Sequence, residues 1–287
     1  MEFWPFVYWT FAFAGLAALA GGYLGRWHPA GDSLAVFRGH LGLAGIVWFL
    51  AGAALGLAPG WSVALPILAL VPVLAARLRP ERAGPVTLYQ KNMSYQMPDV
   101  APLAADIRAV APDLLTLQEV TPANAVLLQQ LADILPHTHL CRFEHVGGIA
   151  IASRWPILPG SLRCAHGLAA AQLDTPEGPL WLVSLHLHWP WPDRQPIQHP
   201  QILEVLDGLD GPVVLAGDFN MVRWSYSVQS IARAIRAEPA GRARTTFRIK
   251  RAIGIAIDQI LVPSGRRGAT ETRPMLGSDH LGFVARF

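Results

Sequence analysis

The chain has 287 residues, of which 52% are hydrophobic and 15% charged, with two cysteines and a formal net charge of +3. Soluble domains usually carry about 25% charged residues, so the composition excludes a disordered chain and a collagen-like chain and speaks against an average cytosolic enzyme, and two cysteines exclude a disulfide-built scaffold. The length allows one or two domains, and the charge is too small to require a polyanionic partner.

The charges are unevenly placed. Residues 1–76 contain Glu2, Arg26, Asp32 and Arg38 and no other Asp, Glu, Lys or Arg. Residues 3–24 form an uncharged run, long enough at about 1.5 Å per residue to cross a hydrocarbon core of about 30 Å. Trp4, Tyr8 and Trp9 lie near one end and Tyr23 and Trp27 near the other, as in the aromatic belts of membrane helices. A cleaved signal peptide would need a basic stretch ahead of the run, and only Glu2 stands there. A second uncharged run, residues 39–76, is broken by Pro59-Gly60, a turn signal. It predicts helices over 41–58 and 61–76. The last contains Pro66 and Pro72, which membrane helices tolerate, although an interfacial position is the alternative. Three spans are expected, making residues 1–78 an all-α transmembrane region. Two spans or a buried helical domain are the competing readings. Arg26 and Arg38 in the first loop, with Arg77, Arg79 and Arg82 after the last span, then share one face, which the positive-inside rule makes cytoplasmic.

Residues 79–85 read as a linker. Beyond it the pattern predicts strands over 86–92, 114–118, 148–153, 172–173, 180–188, 213–217, 257–262 and 283–287. Helices are expected over 100–111, capped by Asp99, over 121–135, opened by Thr121-Pro122, and over 196–209 and 225–236. Several strands follow one another without a crossover helix, so residues 86–287 fit a mixed-sheet α/β layered fold.

The polar residues cluster at strand ends. Leu215-Ala216-Gly217-Asp218-Phe219-Asn220 runs an apolar strand into Gly-Asp-x-Asn, placing Asp218 and Asn220 on one face. A carboxylate and an amide there suit a hard divalent cation and a phosphate; alone, the segment is equally a plain turn. Leu117-Gln118-Glu119 ends a buried strand in a carboxylate, and Tyr89-Gln90-Lys91-Asn92 ends one in an amide. His186 and His188 alternate along a strand, Ile257-Asp258-Gln259-Ile260 embeds an acid in an apolar one, and Gly277-Ser278-Asp279-His280 precedes the last. Each has a bland explanation as a cap, a turn or a satisfied core group; six in one domain do not.

Glu119 in Leu-Gln-Glu, Gly-Asp-Phe-Asn, Ile-Asp-Gln-Ile and Ser-Asp-His, in this order, resemble the signature of the endonuclease/exonuclease/phosphatase superfamily. The resemblance covers residues 85–287. It implies a four-layer α/β/β/α sandwich with the site at one edge of two packed sheets, and the preceding apolar segment resembles a membrane-attached bacterial branch, which would sit in the inner membrane. Carried over residue by residue, it implies that Glu119 is the main Mg²⁺ or Mn²⁺ ligand, with Asn92 beside it and Asp279 supporting the metal. Asp218 would orient or deprotonate the attacking water, and Asn220 would hold the water or a phosphate oxygen. His280, oriented by Asp258, would contact the scissile phosphate, and His186 would stabilise its charge or assist the leaving group. The sequence departs from the family pattern at Gln259, where His is common, at Leu185, at Gly282 and at Lys91.

Other segments stay open. His188 reads as a rim or supporting histidine. Trp189-Pro190-Trp191-Pro192 is a substrate-facing lip, a membrane-surface element or a packed loop. Arg242, Arg244, Arg248, Lys250 and Arg251 are a solvated basic loop or a contact for phosphates. Cys141 and Cys164 read as buried apolar residues, with a disulfide open to them outside the cytoplasm. The expectation is a membrane-anchored, Mg²⁺- or Mn²⁺-dependent phosphoesterase using in-line attack by water on a phosphate-ester substrate, either nucleic acid or a lipid headgroup, with the lipid bilayer as its other partner. The alternative is a catalytically silent membrane module that binds a phosphorylated ligand or partner.

Overall fold

The computed structural model describes residues 3–143 and 147–287. It opens with α1 (Phe3–Gly21), a short α2 (Ala30–Val36), α3 (Arg38–Ala54) and α4 (Ala64–Arg77), the last entered through a 3₁₀ turn at Gly60–Val63. Phe3–Gly21 and the continuous Gly60–Arg77 are long and apolar enough to cross a membrane, and the bent pair α2–α3, turning by 66°, makes a third if it counts as one span. Phe6, Phe11 and Phe13 on α1, Val47 and Leu50 on α3, and Leu68 and Val71 on α4 are exposed, so the helices are apolar outward as well as inward, the pattern of lipid-facing helices. The second long helix starts and ends earlier than the expected 41–58. Gly56 takes φ +70°, and the amides of Leu57 and Ala58 turn back onto the Gly52 carbonyl, a glycine-dependent helix stop.

The rest of the chain contains β1 (Thr87–Asn92), α5 (Ala101–Val110), β2 (Leu114–Val120), α6 (Val126–Gln130), β3 (His137–Cys141), β4 (Gly148–Ser153), β5 (Arg163–Ala165), β6 (Leu168–Thr175) and β7 (Gly178–His186). It continues with α7 (Gln195–Asp207), β8 (Val213–Asp218), α8 (Tyr226–Ala234), β9 (Ala237–Pro239), β10 (Phe247–Ile249), β11 (Ile253–Ile255), β12 (Asp258–Pro263), β13 (Ala269–Arg273) and β14 (Gly282–Arg286). One sheet has the order β13-β14-β1-β2-β4-β3, the other β5-β6-β7-β8-β12-β9, and β10-β11 form a separate hairpin. The pairs β1/β2 and β7/β8 are parallel and the other pairs antiparallel, so both sheets are mixed.

Strand alternation builds the layers. Leu88, Leu114, Val214, Ala216, Ile260 and Phe283 meet between the sheets. Their neighbours Tyr89 and Leu115 face outward to pack with Leu103 and Ile107 of α5 and Leu127 of α6. On the other sheet Val213 and Leu215 pack with Ile202 and Leu206 of α7 and with Val228 and Ile231 of α8. The result is the expected α/β/β/α sandwich, and the period of two decides which layer each residue joins.

The helical segment is bonded to the sandwich. Asp32 of α2 accepts from the amides of Tyr226 and Ser227 at the start of α8, at 2.7 and 2.9 Å, where an anion suits exposed helix N–H groups. The Trp224 indole donates to the Ala35 carbonyl, and Ser33 donates to the carbonyl of Trp191. Residues 79–85, expected as a linker, also dock. Glu81 accepts from the Arg242 and Thr270 amides, the Thr270 hydroxyl and the Arg244 guanidinium. Cys141 on edge strand β3 and Cys164 on edge strand β5 are joined in a disulfide that ties the two sheets. Cys141 is buried, but Cys164 is exposed rather than a buried apolar residue.

Candidate active site

Asn92, His186 and Asp218 end strands, Asp258 begins one, Glu119 stands next to the end of one, and Asn220, Asp279 and His280 lie in the loops beside them. β8 delivers Asp218 opposite Asp258 of β12 and beside His186 of β7. Gly217 is required by close approach: a Cβ there would lie 1.9 Å from the Leu185 carbonyl oxygen. β1 ends at Asn92 beside Gln118 of the parallel β2, and a bulge between Leu117 and Val120 turns Glu119 with φ +58°. Gly147, at φ +88°, passes so near that a Cβ would lie 2.8 Å from the Glu119 carbonyl carbon. Asn220 also has positive φ, +48°, and its amide N–H bonds Asp218 Oδ1 at 2.8 Å. Two non-glycine residues in this sparsely populated region at one site mark a locally strained backbone held by its surroundings.

The eight expected residues lie together at one edge of the sandwich. Glu119, His186, Asp218, Asn220, Asp279 and His280 line a single cavity of about 690 Å³. Asn92 and Asp258 stand behind its wall, each 1% exposed. Asn92 Nδ2 donates at 3.0 Å both to Glu119 Oε1 and to Asp218 Oδ2, so the two carboxylates converge on one amide. His280 Nδ1 lies 2.9 Å from Asp258 Oδ2. Asp218 Oδ2 is 3.5 Å from His280 Nε2 and 3.6 Å from His186 Nε2.

The electrostatics follow from burial and these contacts. Burial pushes Asp218 up to about 7, with Asp258 adding to the rise and His280 and the donors Asn220 and Asn92 opposing it. For His280 burial acts downward, but Asp258, Asp218 and Asp279 together outweigh it and hold the ring up at about 9. Asp258 is lowered, because His280 and hydrogen bonds from Gln90 and others overcome its burial. Burial takes His186 down to about 4. One imidazole is thus charged at neutral pH and one is not, with a near-neutral carboxyl between them, the kind of separation that general acid–base chemistry uses.

Asp218, Asp258 and His280 also come close enough together to hold a cation. His280 and Asp258 already satisfy each other, and a charged ring repels a metal, so this trio is better described as an ion pair with a third carboxyl beside it. Glu119 and Asp279 bring carboxylate oxygens to one cavity, the donors whose chemistry fits Mg²⁺ or Mn²⁺, while Asn92 turns its Nδ2 to Glu119 and its Oδ1 to the Ser94 amide and so holds Glu119 in place.

Several residues at the site were not legible as functional. Gln90 donates to Gln118 and Asp258, and Gln118 donates to Ser184, in a buried network between the sheets. Alternation with apolar neighbours hid these polar residues as ordinary strand positions. Phe247, on short strand β10, covers the His280 ring with centroids 4.8 Å apart. His188 lines the cavity and pairs with His166 at 2.8 Å between Nε2 atoms. The departures from the family pattern also find their places. Gln259 bonds the carbonyls of Met221 and Ala256 and lies outside the cavity lining. Lys91 donates to the carbonyls of Met275 and His280 and anchors the loop that carries His280. Ser278 completes the anchor by bonding the Asn92 carbonyl.

The endonuclease/exonuclease/phosphatase family matches residues 92–280. The chain belongs to that family. Among solved structures it is similar to an endonuclease/exonuclease/phosphatase family protein from Leptotrichia buccalis, with 15% identity and a TM-score of 0.54 over 71% of this chain and 99% of that one. It is also similar to TDP2 from D. rerio complexed with a single-strand DNA product, with 16% identity and a TM-score of 0.56 over 70% and 97%. A third is the 3′ phosphatase NExo from Neisseria bound to a product DNA hairpin, with 17% identity and a TM-score of 0.53 over 71% and 99%. At these identities the likeness is one of fold. No curated protein sequence matches the chain. Within its family the chain is a phosphoesterase, a hydrolase of phosphate esters.

Proposed function

We propose that this phosphoesterase is held in a membrane by α1, α3 and α4 and hydrolyses a phosphate ester of a lipid headgroup, with Mg²⁺ or Mn²⁺ at Glu119 and Asp279 and with Asn92 orienting Glu119. The observation that carries the reading is Asp218 Oδ2 set between the Nε2 atoms of His280 and His186 on the wall of a cavity that also holds Glu119. A bound divalent ion would supply positive charge for the phosphoryl oxygens. Asp218, a carboxyl near neutrality, is placed to take a proton from water as the water attacks phosphorus. Asn220 gives its Nδ2 to the Leu187 carbonyl, which leaves its Oδ1 to orient that water. His280, charged and fixed through Nδ1 by Asp258, offers Nε2–H to a phosphoryl oxygen, where preorganised positive charge is most effective. His186 is neutral and contributes a hydrogen bond on the opposite side.

Two observations favour a lipid over a nucleic acid. The Trp191 carbonyl is bonded to Ser33 and its ring lies against His28, with centroids 5.8 Å apart, so the cavity lip is continuous with the loop after α1. The basic loop that would suit nucleic acid is depleted, because Arg242 and Arg244 pair with Glu81.

The test uses the full chain in neutral detergent. Hydrolysis of bis(p-nitrophenyl) phosphate is expected to stop with a chelator and to return with Mg²⁺ or Mn²⁺. Glu119→Ala and His280→Ala should each lower it by about 10²-fold or more without loss of fold. Unchanged turnover in both variants would sink the assignment and leave a phosphate-binding module. In a panel of sphingomyelin vesicles, phosphoinositide vesicles and plasmid DNA, faster cleavage of DNA would overturn the lipid reading.

A further inference from the structure

Where the helical segment meets the sandwich, a second cavity of about 530 Å³ opens between the loop after α1, the start of α3, the end of α4 and helix α8. It shares no lining residue with the catalytic cavity. Arg26, Arg38 and Arg233 line it together with Tyr23, Gln229 and Pro72, and no carboxylate does. Among the described residues none of these three arginines forms an ion pair.

Arg38 is the telling residue. It is 2% exposed, its guanidinium lies 3.8 Å from the centroid of the Tyr23 ring, and it donates to the Gly22 carbonyl. Its buried Nε meets no acceptor. The neighbouring acid Asp32 lends its charge at a distance but makes no direct ion pair with Arg38, its oxygens being turned to the Tyr226 and Ser227 amides. A buried guanidinium with an idle donor and no direct ion-pair partner is costly, and a charged group at the end of a membrane helix usually has a named partner. The missing partner is an anion with several oxygens.

We infer that this cavity binds the phosphate headgroup of an anionic phospholipid. The exposed Arg26 and Arg233 would close on the phosphate oxygens, as guanidinium groups do, with the buried charge of Arg38 at the back of the cavity. The depth fits a lipid. Gly22 follows α1, Arg38 opens α3 and Pro72 lies in the last turns of α4, so the three arginines sit at the level of the helix ends. Leu24 and Trp27 beside them are 48% and 75% exposed, apolar surface that acyl chains and the interface would cover. Basic pockets at membrane-helix ends are a recurrent form of headgroup recognition.

The inference rests on the membrane-spanning reading, so the experiment separates the two. Full-length protein is delipidated in neutral detergent and its thermal unfolding is followed with phosphatidylglycerol, phosphatidylcholine or inorganic phosphate. Phosphatidylglycerol should raise Tm by about 3 °C or more, and the other two should not. Because Arg38 variants can fail to fold, the exposed pair carries the test: Arg26→Gln with Arg233→Gln should lose most of the shift. The double variant should still float with vesicles and still hydrolyse bis(p-nitrophenyl) phosphate at the parental rate. Equal stabilisation by phosphatidylcholine, full stabilisation by inorganic phosphate, or an undiminished shift in the double variant would each overturn the headgroup site. Loss of hydrolysis in the double variant would overturn it by placing the arginines in the catalytic machinery. Failure of the parent protein to float would overturn the membrane reading and the inference with it.

Discussion

His280 is a ring whose charge three neighbouring carboxylates, Asp258, Asp218 and Asp279, decide against its burial. Asp258 contributes both a 2.9 Å hydrogen bond and the largest single opposing charge, and it is not among the residues that line the cavity. It therefore acts through His280, as a positioning residue. Asp258→Asn keeps the shape and removes the charge, so the ring loses its orientation and much of its positive character. The expected result is a fall in kcat of about 10²-fold for a soluble phosphodiester with KM changed little. A change confined to KM would show that Asp258 shapes binding and would end its assigned role. The same wall shows why sequence reading stopped short. Gln90, Gln118 and Ser184 are wholly buried and bonded to one another and to Asp258. Nothing in a strand pattern distinguishes such a residue from a surface position of the same period, because alternation reports which face a residue is on and not whether the opposite sheet covers that face.

At the scale of elements, the strands that end in site residues were legible because each is an apolar run closed by a polar group. Those of β3, β5 and β13, with sequences such as His-Thr-His-Leu-Cys and Ala-Thr-Glu-Thr-Arg, were not, since edge strands need little apolar content. The helix expected over 121–135 shrinks to α6. Its entry is a Thr121–Asn124 turn, and Arg108 captures the Gln130 carbonyl and Asp133 beyond it. Residues 79–85 read as a linker because they are short, proline-bounded and charged, yet Glu81 makes them a docked segment. Burial raises the Glu81 pKa, and the hydrogen bonds from Arg242 and Thr270 with the charge of Arg244 more than reverse this, leaving it below the ordinary carboxylate value. A depressed carboxylate contributes stability that is complete above its unfolded pKa of about 4.3. That stability is lost as pH falls through the lower folded value. Glu81→Gln is expected to lower stability at pH 7 by about 1–3 kcal/mol, with the difference shrinking as both proteins are taken from pH 5 towards pH 3. Thermal unfolding at each pH measures it, and a difference independent of pH would mean that the carboxylate charge contributes nothing to docking.

At the scale of the whole molecule, under the proposed membrane attachment, two observations oppose each other over which side of the membrane the sandwich would occupy. Arg26, Arg38, Arg77, Arg79 and Arg82 all lie on the sandwich side of the helices, which by flanking charge alone makes that side cytoplasmic. The Cys141–Cys164 disulfide asks for an oxidising compartment, since cytosolic thiol systems keep such pairs reduced. The arginine count is weakened by what the residues do. Arg38 is buried at the second cavity, and Arg79 pairs with Glu238, so both are already required by folded contacts. The disulfide has an exposed member, Cys164, and lies two residues upstream of both Phe143 and His166, which line the catalytic cavity with rings 5.8 Å apart. The expected arrangement is therefore a sandwich on the oxidising face, with one edge of its cavity held by the covalent link between the sheets. In intact cells quenched with acid, a maleimide mass tag should leave the chain unshifted until a reductant is added, after which two tags attach. A reporter fused after Phe287 should be active only on the oxidising side. Two tags without reductant, or a reporter active only in the cytoplasm, would return the sandwich to the face that the arginines mark.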